Sequence, residues 1–246
     1  MKQFGLALPI SLVLWSLAFL PQAQAAHVNV IELDNEIISP VTQQYIVDAI
    51  ERSETDGAVC LVIVLDTPGG LLESTRAIVK RMMNAKVPIA VYVAPSGSRA
   101  GSAGVFITLA AHVAAMAPST NIGAAHPVVV GEGGGGPVRK LIRRIKRAAE
   151  EESKPDKSKK SGERGKEEIE EEIVEETSSD PMSEKIINDT VAWVTTIAKS
   201  RGRNETWAAK AVTESVSVTE TDALKEDIVD VIATDIPDLL TKIEGR

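Results

Sequence analysis

The stretch "AVCLVIVLDTPGG", residues 58–70, decides the fold class. Residues 58–65 form a nearly continuous apolar run, which is typical of a parallel strand whose two faces are both covered. The segment "TPGG" breaks the run, and its glycines free backbone N–H groups at the carboxyl end of the strand, where α/β folds place their ligands. A plain turn between a strand and a helix is the alternative interpretation. Either interpretation predicts an α/β domain.

Outside this stretch, short apolar segments alternate with segments of helical periodicity. The predicted strands are 27–33, 87–94, 112–118, 121–129 and 228–233. The predicted helices are one that begins after Ser39 with Pro40 in its first turn, and others over 71–84, 101–111, 184–201, 205–212, 219–227 and 236–243. This alternation predicts a layered α/β architecture with a largely parallel sheet.

The N-terminal 25 residues have the pattern of a signal peptide. Lys2 precedes an apolar run over 4–20, and "AQA" ends at Ala25 with small residues where a cleavage site needs them. An uncleaved membrane anchor is the alternative. Both interpretations predict an exported chain, periplasmic or otherwise extracytoplasmic, whose folded domain spans 26–246.

A charged insertion at about 131–180 interrupts the domain. It begins with "GEGGGG", and 25 of the 42 residues over 139–180 are charged, 12 basic and 13 acidic. Its composition favours a flexible, solvated segment. The alternatives are a hairpin of two oppositely charged helices and a basic face resting on anionic lipid.

Composition excludes several functional classes. The chain has 27 Lys and Arg against 35 Asp and Glu, and a net charge of −8 disfavours a nucleic-acid surface. A single cysteine rules out an intrachain disulfide. Three scattered histidines do not suggest a metal cluster, so we expect neither metal nor cofactor.

The segment "PSGSRAGSAGVFITL", residues 95–109, contains the candidate nucleophile. Ser102 lies among small residues between a predicted strand and an apolar helix, where the helix N-terminus favours negative charge. Ala100 replaces the first glycine of the G-x-S-x-G pattern, so that motif is incomplete. From the spacing alone, a helix-capping role for Ser102 is the favoured alternative.

Three segments together resemble a known family. They are "LDTPGGLLEST", then "APSGSRAGSAGVFITLAAHVAAMAPSTNIGAAHPV", then "EKIINDTVAWVTTIAKSRGRN". In this order they resemble the protease domain of NfeD-type membrane serine peptidases, which are relatives of ClpP and of signal peptide peptidase A. The resemblance spans residues 27–242 apart from the insertion. It implies a ClpP/crotonase-like fold of repeated β-β-α units and a Ser–Lys catalytic dyad.

The resemblance also implies roles for individual residues. Ser102 matches the nucleophile and Lys185 the general base, while Gly70 and Ala103 match the N–H donors of the oxyanion hole. A lysine has an ordinary pKa of ~10.4, so a lysine base needs surroundings that lower its pKa by roughly 3 units. Lys185 precedes two isoleucines at the start of an apolar helix, which predicts such surroundings.

His126 is a second candidate base or a neighbour of the substrate site, because it resembles the position of the ClpP triad histidine. A triad also needs a carboxylate to orient that histidine. The corresponding ClpP aspartate falls near Ser215, with Glu214 beside it, so no clear match exists.

The sequence therefore predicts a serine endopeptidase. The resemblance implies cleavage of apolar segments, partners among stomatin-like membrane proteins, and a homo-oligomer of at least two copies. Two alternatives remain open. One is an inactive scaffold of the same fold that binds a membrane partner, and the other is a crotonase-type enzyme acting on acyl-CoA.

Overall fold

The apolar run at residues 60–65 forms the second strand of a parallel sheet. The computed structural model describes residues 26–127 and 181–245. The predicted signal peptide and the whole of the charged insertion lie outside the described residues. No helix in the described ranges combines the length and the apolar character needed to cross a bilayer.

The strands are β1 (Val28–Leu33), β2 (Ile37–Ile38), β3 (Cys60–Leu65), β4 (Gly69–Gly70), β5 (Ile89–Val93), β6 (Arg99–Gly101), β7 (Val113–Met116), β8 (Asn121–Gly123), β9 (Ser217–Thr219) and β10 (Val231–Ile232). The helices are α1 (Pro40–Thr55), α2 (Leu72–Met83), α3 (Ala103–Ala110), α4 (Pro181–Ser200), α5 (Glu205–Thr213), α6 (Glu220–Lys225) and α7 (Ile236–Ile243). The predicted alternation of strands and helices is confirmed.

The central sheet has five parallel strands in the order β1-β3-β5-β7-β10. Both faces of β3 are buried. Leu61, Ile63 and Leu65 belong to one apolar cluster, and Val62 and Val64 belong to a second cluster on the opposite face. Successive side chains of a strand point to opposite faces, so a strand covered on both faces needs an unbroken apolar run. This explains the stretch from which the fold class was predicted.

Two smaller sheets lie at the carboxyl ends of these strands. β2 pairs with β4 in parallel, and β6-β8-β9 form a three-stranded sheet in which β9 is antiparallel. The sequence patterns did not indicate β2, β4, β6 or β9 as strands. Each contains only two or three residues, which is too short for hydrophobic periodicity to detect.

The helix that follows Ser102 is held at its far end by arginines. Arg203, a buried residue, donates hydrogen bonds to the carbonyls of Leu109 and Ala111, each at 2.9 Å, and pairs with Asp230 at 2.6 Å. Arg201 donates to the Ala110 carbonyl at 2.9 Å. These carbonyls would otherwise lack partners at the end of α3, so the arginines fix the position of the helix that Ser102 precedes.

Candidate active site

The turn after β3 is held by the Thr67 side chain. Thr67 is fully buried, and its hydroxyl donates a hydrogen bond to the Glu36 carbonyl at 2.6 Å. The same oxygen accepts the backbone N–H of Gly69 at 3.1 Å. Buried polar groups in proteins are almost always paired, and here the pairing fixes the backbone on both sides of Pro68. The two glycines after Pro68 therefore have a defined position.

Ser102 joins β6 to α3 in a backbone conformation that few serines adopt. Its φ is +48° and its ψ is −105°, and its backbone N–H donates to the Gly123 carbonyl at 3.1 Å. A conformation of this kind costs a non-glycine residue about 1–3 kcal/mol, and such residues cluster at functional sites. A strained turn from strand to helix is also how a nucleophile is exposed at the end of a sheet.

The capping role that the spacing favoured for Ser102 is wrong. Ser102 occupies the N-cap position of α3, but its side chain makes no capping hydrogen bond. A capping serine has an extended backbone, and its hydroxyl accepts an N–H two or three residues further on. The positive φ of Ser102 is incompatible with that geometry. The Ser102 hydroxyl is therefore not engaged in a capping hydrogen bond to α3.

Gly69 makes room for the Ser102 side chain. Its φ is +121°, and a Cβ atom at this position would lie 2.6 Å from the Ser102 Cβ and 3.1 Å from the Ser102 Oγ. These distances are shorter than van der Waals contact, so only glycine fits here without moving Ser102. The "PGG" turn and the serine turn thus form one unit, although they lie about thirty residues apart in the sequence.

Gly70 and Ala103 present backbone N–H groups beside Ser102. β4 pairs with β2 through Leu71, whose N–H donates to the Ile38 carbonyl at 2.8 Å. Gly70 is the residue of β4 that lies directly opposite Ile38. When a strand pairs in parallel through the residue after this one, the opposite residue has its N–H on the far side of the strand, so the Gly70 N–H points away from β2. Ala103 begins α3, and its N–H has no acceptor within the helix. Two such donors can hold a developing oxyanion.

An apolar cavity of about 280 Å³ adjoins these groups, and Gly70, Ser102 and Ala103 all line it. Its apolar lining consists of Leu71, Leu72, Phe106, Ala125, Pro127 and Ile186. Thr75 and Thr190 also line it, but their hydroxyls donate to carbonyls of their own helices, at 2.8 Å and 2.7 Å. With both hydroxyls satisfied, the cavity favours an apolar group over a charged one.

His126 lines the same cavity as Ser102. Its Nδ1 lies 2.8 Å from the carbonyl oxygen of Val212. A carbonyl only accepts, so this bond requires the hydrogen on Nδ1 and leaves the Nε2 lone pair free when the ring is neutral. The partner of Nδ1 is a backbone carbonyl and not a carboxylate, which differs from a Ser–His–Asp triad.

Lys185 lies in the second turn of α4 and is exposed. Its neighbour Ile186 lines the cavity, and so does Thr190 one turn later. Successive residues of a helix are about 100° apart, so Lys185 lies on the adjoining face of α4 and not on the face that lines the cavity. Among the residues that the structure describes, none encloses Lys185 in the apolar surroundings expected from the sequence, although the residue lies next to the cavity.

Several residues of the site escaped the sequence analysis. Gly69 was noticed only as part of the turn, and Thr67 and Phe106 were not singled out. "TPGG" directly after a buried strand was the available signal, since a hydroxyl two residues before a glycine can fix its backbone. In the described ranges, no three His, Cys, Asp or Glu side chains converge as metal ligands would.

Comparison with known proteins agrees with the resemblance seen in the sequence. A family model described as NfeD1b, N-terminal domain, matches residues 27–158. The membrane-bound protease PH1510 of Pyrococcus horikoshii is 32% identical over 205 residues, which cover 82% of this chain and 37% of that protein. The chain therefore spans little more than a third of the length of this relative.

Solved structures similar to this chain are those of a 1510-N membrane-bound stomatin-specific protease. A serine-to-alanine variant has a TM-score of 0.67 and 30% identity, covering 90% of this chain and 86% of that one. A lysine-to-alanine variant in complex with a substrate peptide has a TM-score of 0.66 and 29% identity, covering 90% and 85%. A further structure is that of the 1510-N membrane protease specific for a stomatin homolog from Pyrococcus horikoshii. It has a TM-score of 0.62 and 27% identity, and the match covers 90% of this chain and 81% of that one.

The family model covers more than half of the chain, and the sequence relative and the structural neighbours belong to one kind of protein. The fold class expected from the sequence is confirmed as a mixed α/β, ClpP-like fold with a mostly parallel sheet. This chain is a member of the NfeD family, in the class that the NfeD1b N-terminal-domain model describes.

Proposed function

We propose that this chain is a serine endopeptidase and that Ser102 is its nucleophile. The strained backbone of Ser102 carries the proposal, because it holds an uncapped hydroxyl at the edge of an apolar cavity. The strained conformation does not serve to cap the helix, because the side chain makes no capping hydrogen bond. Backbone strain of this kind, beside a cavity, is common among catalytic residues. The serine-to-alanine variant of the similar 1510-N protease supports the assignment.

We assign the oxyanion hole to the backbone N–H groups of Gly70 and Ala103. Both residues line the cavity with Ser102. Ser102 Oγ attacks the substrate carbonyl carbon, and its proton passes to the base. The two N–H groups hold the oxygen that becomes negative, which is often the largest contribution to catalysis at such sites. The intermediate then collapses, and the base returns the proton to the leaving amine.

We assign the general base to Lys185. It lies on α4 next to the cavity-lining Ile186, and the 1510-N lysine-to-alanine variant in complex with a substrate peptide supports this choice. In the second half of the reaction a water molecule attacks the acyl carbon and gives a proton to the Lys185 amine. The bond from that carbon to Ser102 Oγ then breaks, Lys185 returns the proton to Oγ, and the product acid leaves. His126 is the rival base, because it lines the cavity and its Nε2 is free to accept a proton.

The cavity supports an apolar substrate. A volume of about 280 Å³ accommodates one large aliphatic or aromatic side chain, and the lining offers few polar groups. By similarity to 1510-N we propose that the substrate is an apolar segment of a stomatin-like membrane protein. The relative PH1510 is membrane-bound, and we propose that this chain is likewise exported, works at a membrane surface and assembles as a homo-oligomer.

Covalent labelling tests the proposed activity directly. We expect a serine-directed fluorophosphonate to modify the chain once, at Ser102, as located by peptide mass spectrometry, and a peptide library to be cleaved beside apolar residues. Ser98→Ala is the matched control, since Ser98 is a buried serine in the preceding turn and should not affect labelling. A folded protein that is neither labelled nor active would support the scaffold alternative. Saturable binding of acyl-CoA would support the crotonase alternative.

Gly69→Ala should slow the labelling of Ser102 by about 10²-fold. The added Cβ would lie 2.6 Å from the Ser102 Cβ, so the serine must move, and a displacement of about 1 Å costs this much. Gly97→Ala is the control, because Gly97 also has a positive φ, of +95°, but has nothing within 4 Å of an added Cβ. Both variants should lose stability, whereas only Gly69→Ala should lose reactivity. Equal rates in the two variants would contradict the proposed contact.

A further inference from the structure

Helices α2, α3 and α4 all line the Ser102 cavity. Thr190, Val194 and Ile197 of α4 are buried, whereas Lys185 and Asp189, one turn apart, are exposed. Local stability follows local burial, so a contact made at Asp189 can hold the early turns of α4 in place. These turns carry the lysine that we assign as the base.

A column of side chains connects the cavity to such a contact. Phe106, which lines the cavity, stacks on Trp193 of α4 with ring centroids 4.5 Å apart and an angle of 15° between the planes. The Arg76 guanidinium of α2 lies 4.3 Å from the Trp193 ring centroid. Arg76 also donates to the Asp189 carboxylate. One arginine thus contacts α4 at two points, one turn apart.

The two helices joined by Arg76 run in roughly the same direction. Leu72 of α2 and Ile186 of α4 both line the Ser102 cavity, and Met83 and Ser200, near the opposite ends of the same helices, line a second groove. Asp189 therefore lies beside Arg76 in the second turn of α2. Lys185 precedes Asp189 by one turn on the same face, which places it at the level where α2 begins, just after Gly70.

We propose that Arg76 is a positioning residue for catalysis. By stacking on Trp193 and pairing with Asp189, it holds the first turns of α4 so that Lys185 is presented at the edge of the Ser102 cavity. The inference rests on the proposed function for the role of Lys185, but the contact itself does not. An exposed ion pair alone is weak, whereas a guanidinium that both stacks on an aromatic ring and pairs with a carboxylate has a defined orientation.

The same helix provides a matched control. Arg81 of α2 makes a two-point ion pair with Glu54 of α1, at 3.1 and 2.7 Å, on the side of α2 that faces away from α4. Its partner Glu54 is 19% exposed, against 68% for Asp189. Arg81→Gln should therefore destabilise the fold at least as much as Arg76→Gln. The two variants separate a general loss of stability from a loss of positioning.

Hydrogen exchange of the full chain tests the contact without using activity. We expect Arg76→Gln to accelerate exchange of the amides over 184–190 by about tenfold and to leave those over 194–200 unchanged. Asp189→Asn should have a smaller effect in the same place, and Arg81→Gln none. Unchanged protection of 184–190 in Arg76→Gln would overturn the proposal, whatever the kinetics show.

Steady-state kinetics then test the catalytic consequence. Arg76→Gln should lower kcat about tenfold with KM unchanged within twofold, and Arg76→Lys, which keeps the charge, should recover part of the loss. A raised KM with normal kcat would overturn the positioning role, because it would mean that Arg76 binds substrate. If the wild type shows no turnover that depends on Ser102, the proposed function fails, and the exchange experiment still decides whether Arg76 holds α4.

Discussion

Ser102→Gly should produce a protein that is more stable than the wild type and has almost no activity. Loss of the nucleophile removes acyl-enzyme formation, and we expect peptide cleavage to fall by about 10⁴-fold or more. The same substitution relieves strain, because glycine adopts a φ of +48° at no steric cost. Part of the gain is offset by the entropy that glycine loses on folding, so the net stabilisation should be about 1 kcal/mol.

Ser102→Ala is the matched control for this prediction. Alanine removes the hydroxyl equally but keeps a Cβ atom at positive φ, so it should be as inactive as Ser102→Gly without the gain in stability. For a chain of this length, about 1 kcal/mol corresponds to a rise in Tm of ~2–4 °C, which thermal unfolding followed by circular dichroism resolves. Equal Tm values for the two variants would mean that the backbone at Ser102 is not strained.

The sheet was predictable from the sequence because a strand that is buried on both faces must be an unbroken run of apolar residues. Leu61 to Leu65 alternate between two clusters, and no polar residue can occupy either face. The start of α1 was equally readable, since Ser39 accepts the Thr42 N–H as the Ser–Pro pair predicted. Both signals are local, so the folded chain was not needed to interpret them.

The site was less predictable because its geometry depends on contacts between distant segments. A serine among small residues is typical of both a cap and a nucleophile, and only the φ of Ser102 separates the two. That φ requires room, which Gly69 provides from another loop. The face of α4 on which Lys185 lies was also undetermined. Ile186 is the residue that packs toward the cavity, and this follows from the position of the whole helix.

Lys185→Ala should lower peptide cleavage by about 10³-fold, whereas His126→Ala should retain activity within about tenfold of the wild type. A general base contributes typically 10²–10⁴-fold to the rate, and the acylation step has no other way to remove the Ser102 proton if Lys185 is the base. His126 lines the cavity, so its loss should mainly raise KM. Lys199→Ala, at the far end of the same helix, is the control for a loss of charge on α4.

Chemical rescue gives an independent test of which base operates. Added methylamine should restore part of the cleavage activity of Lys185→Ala by supplying the missing amine, and it should leave the activity of His126→Ala unchanged. If His126→Ala is inactive while Lys185→Ala is not, the site is instead a Ser–His pair, with the Val212 carbonyl orienting the ring through Nδ1.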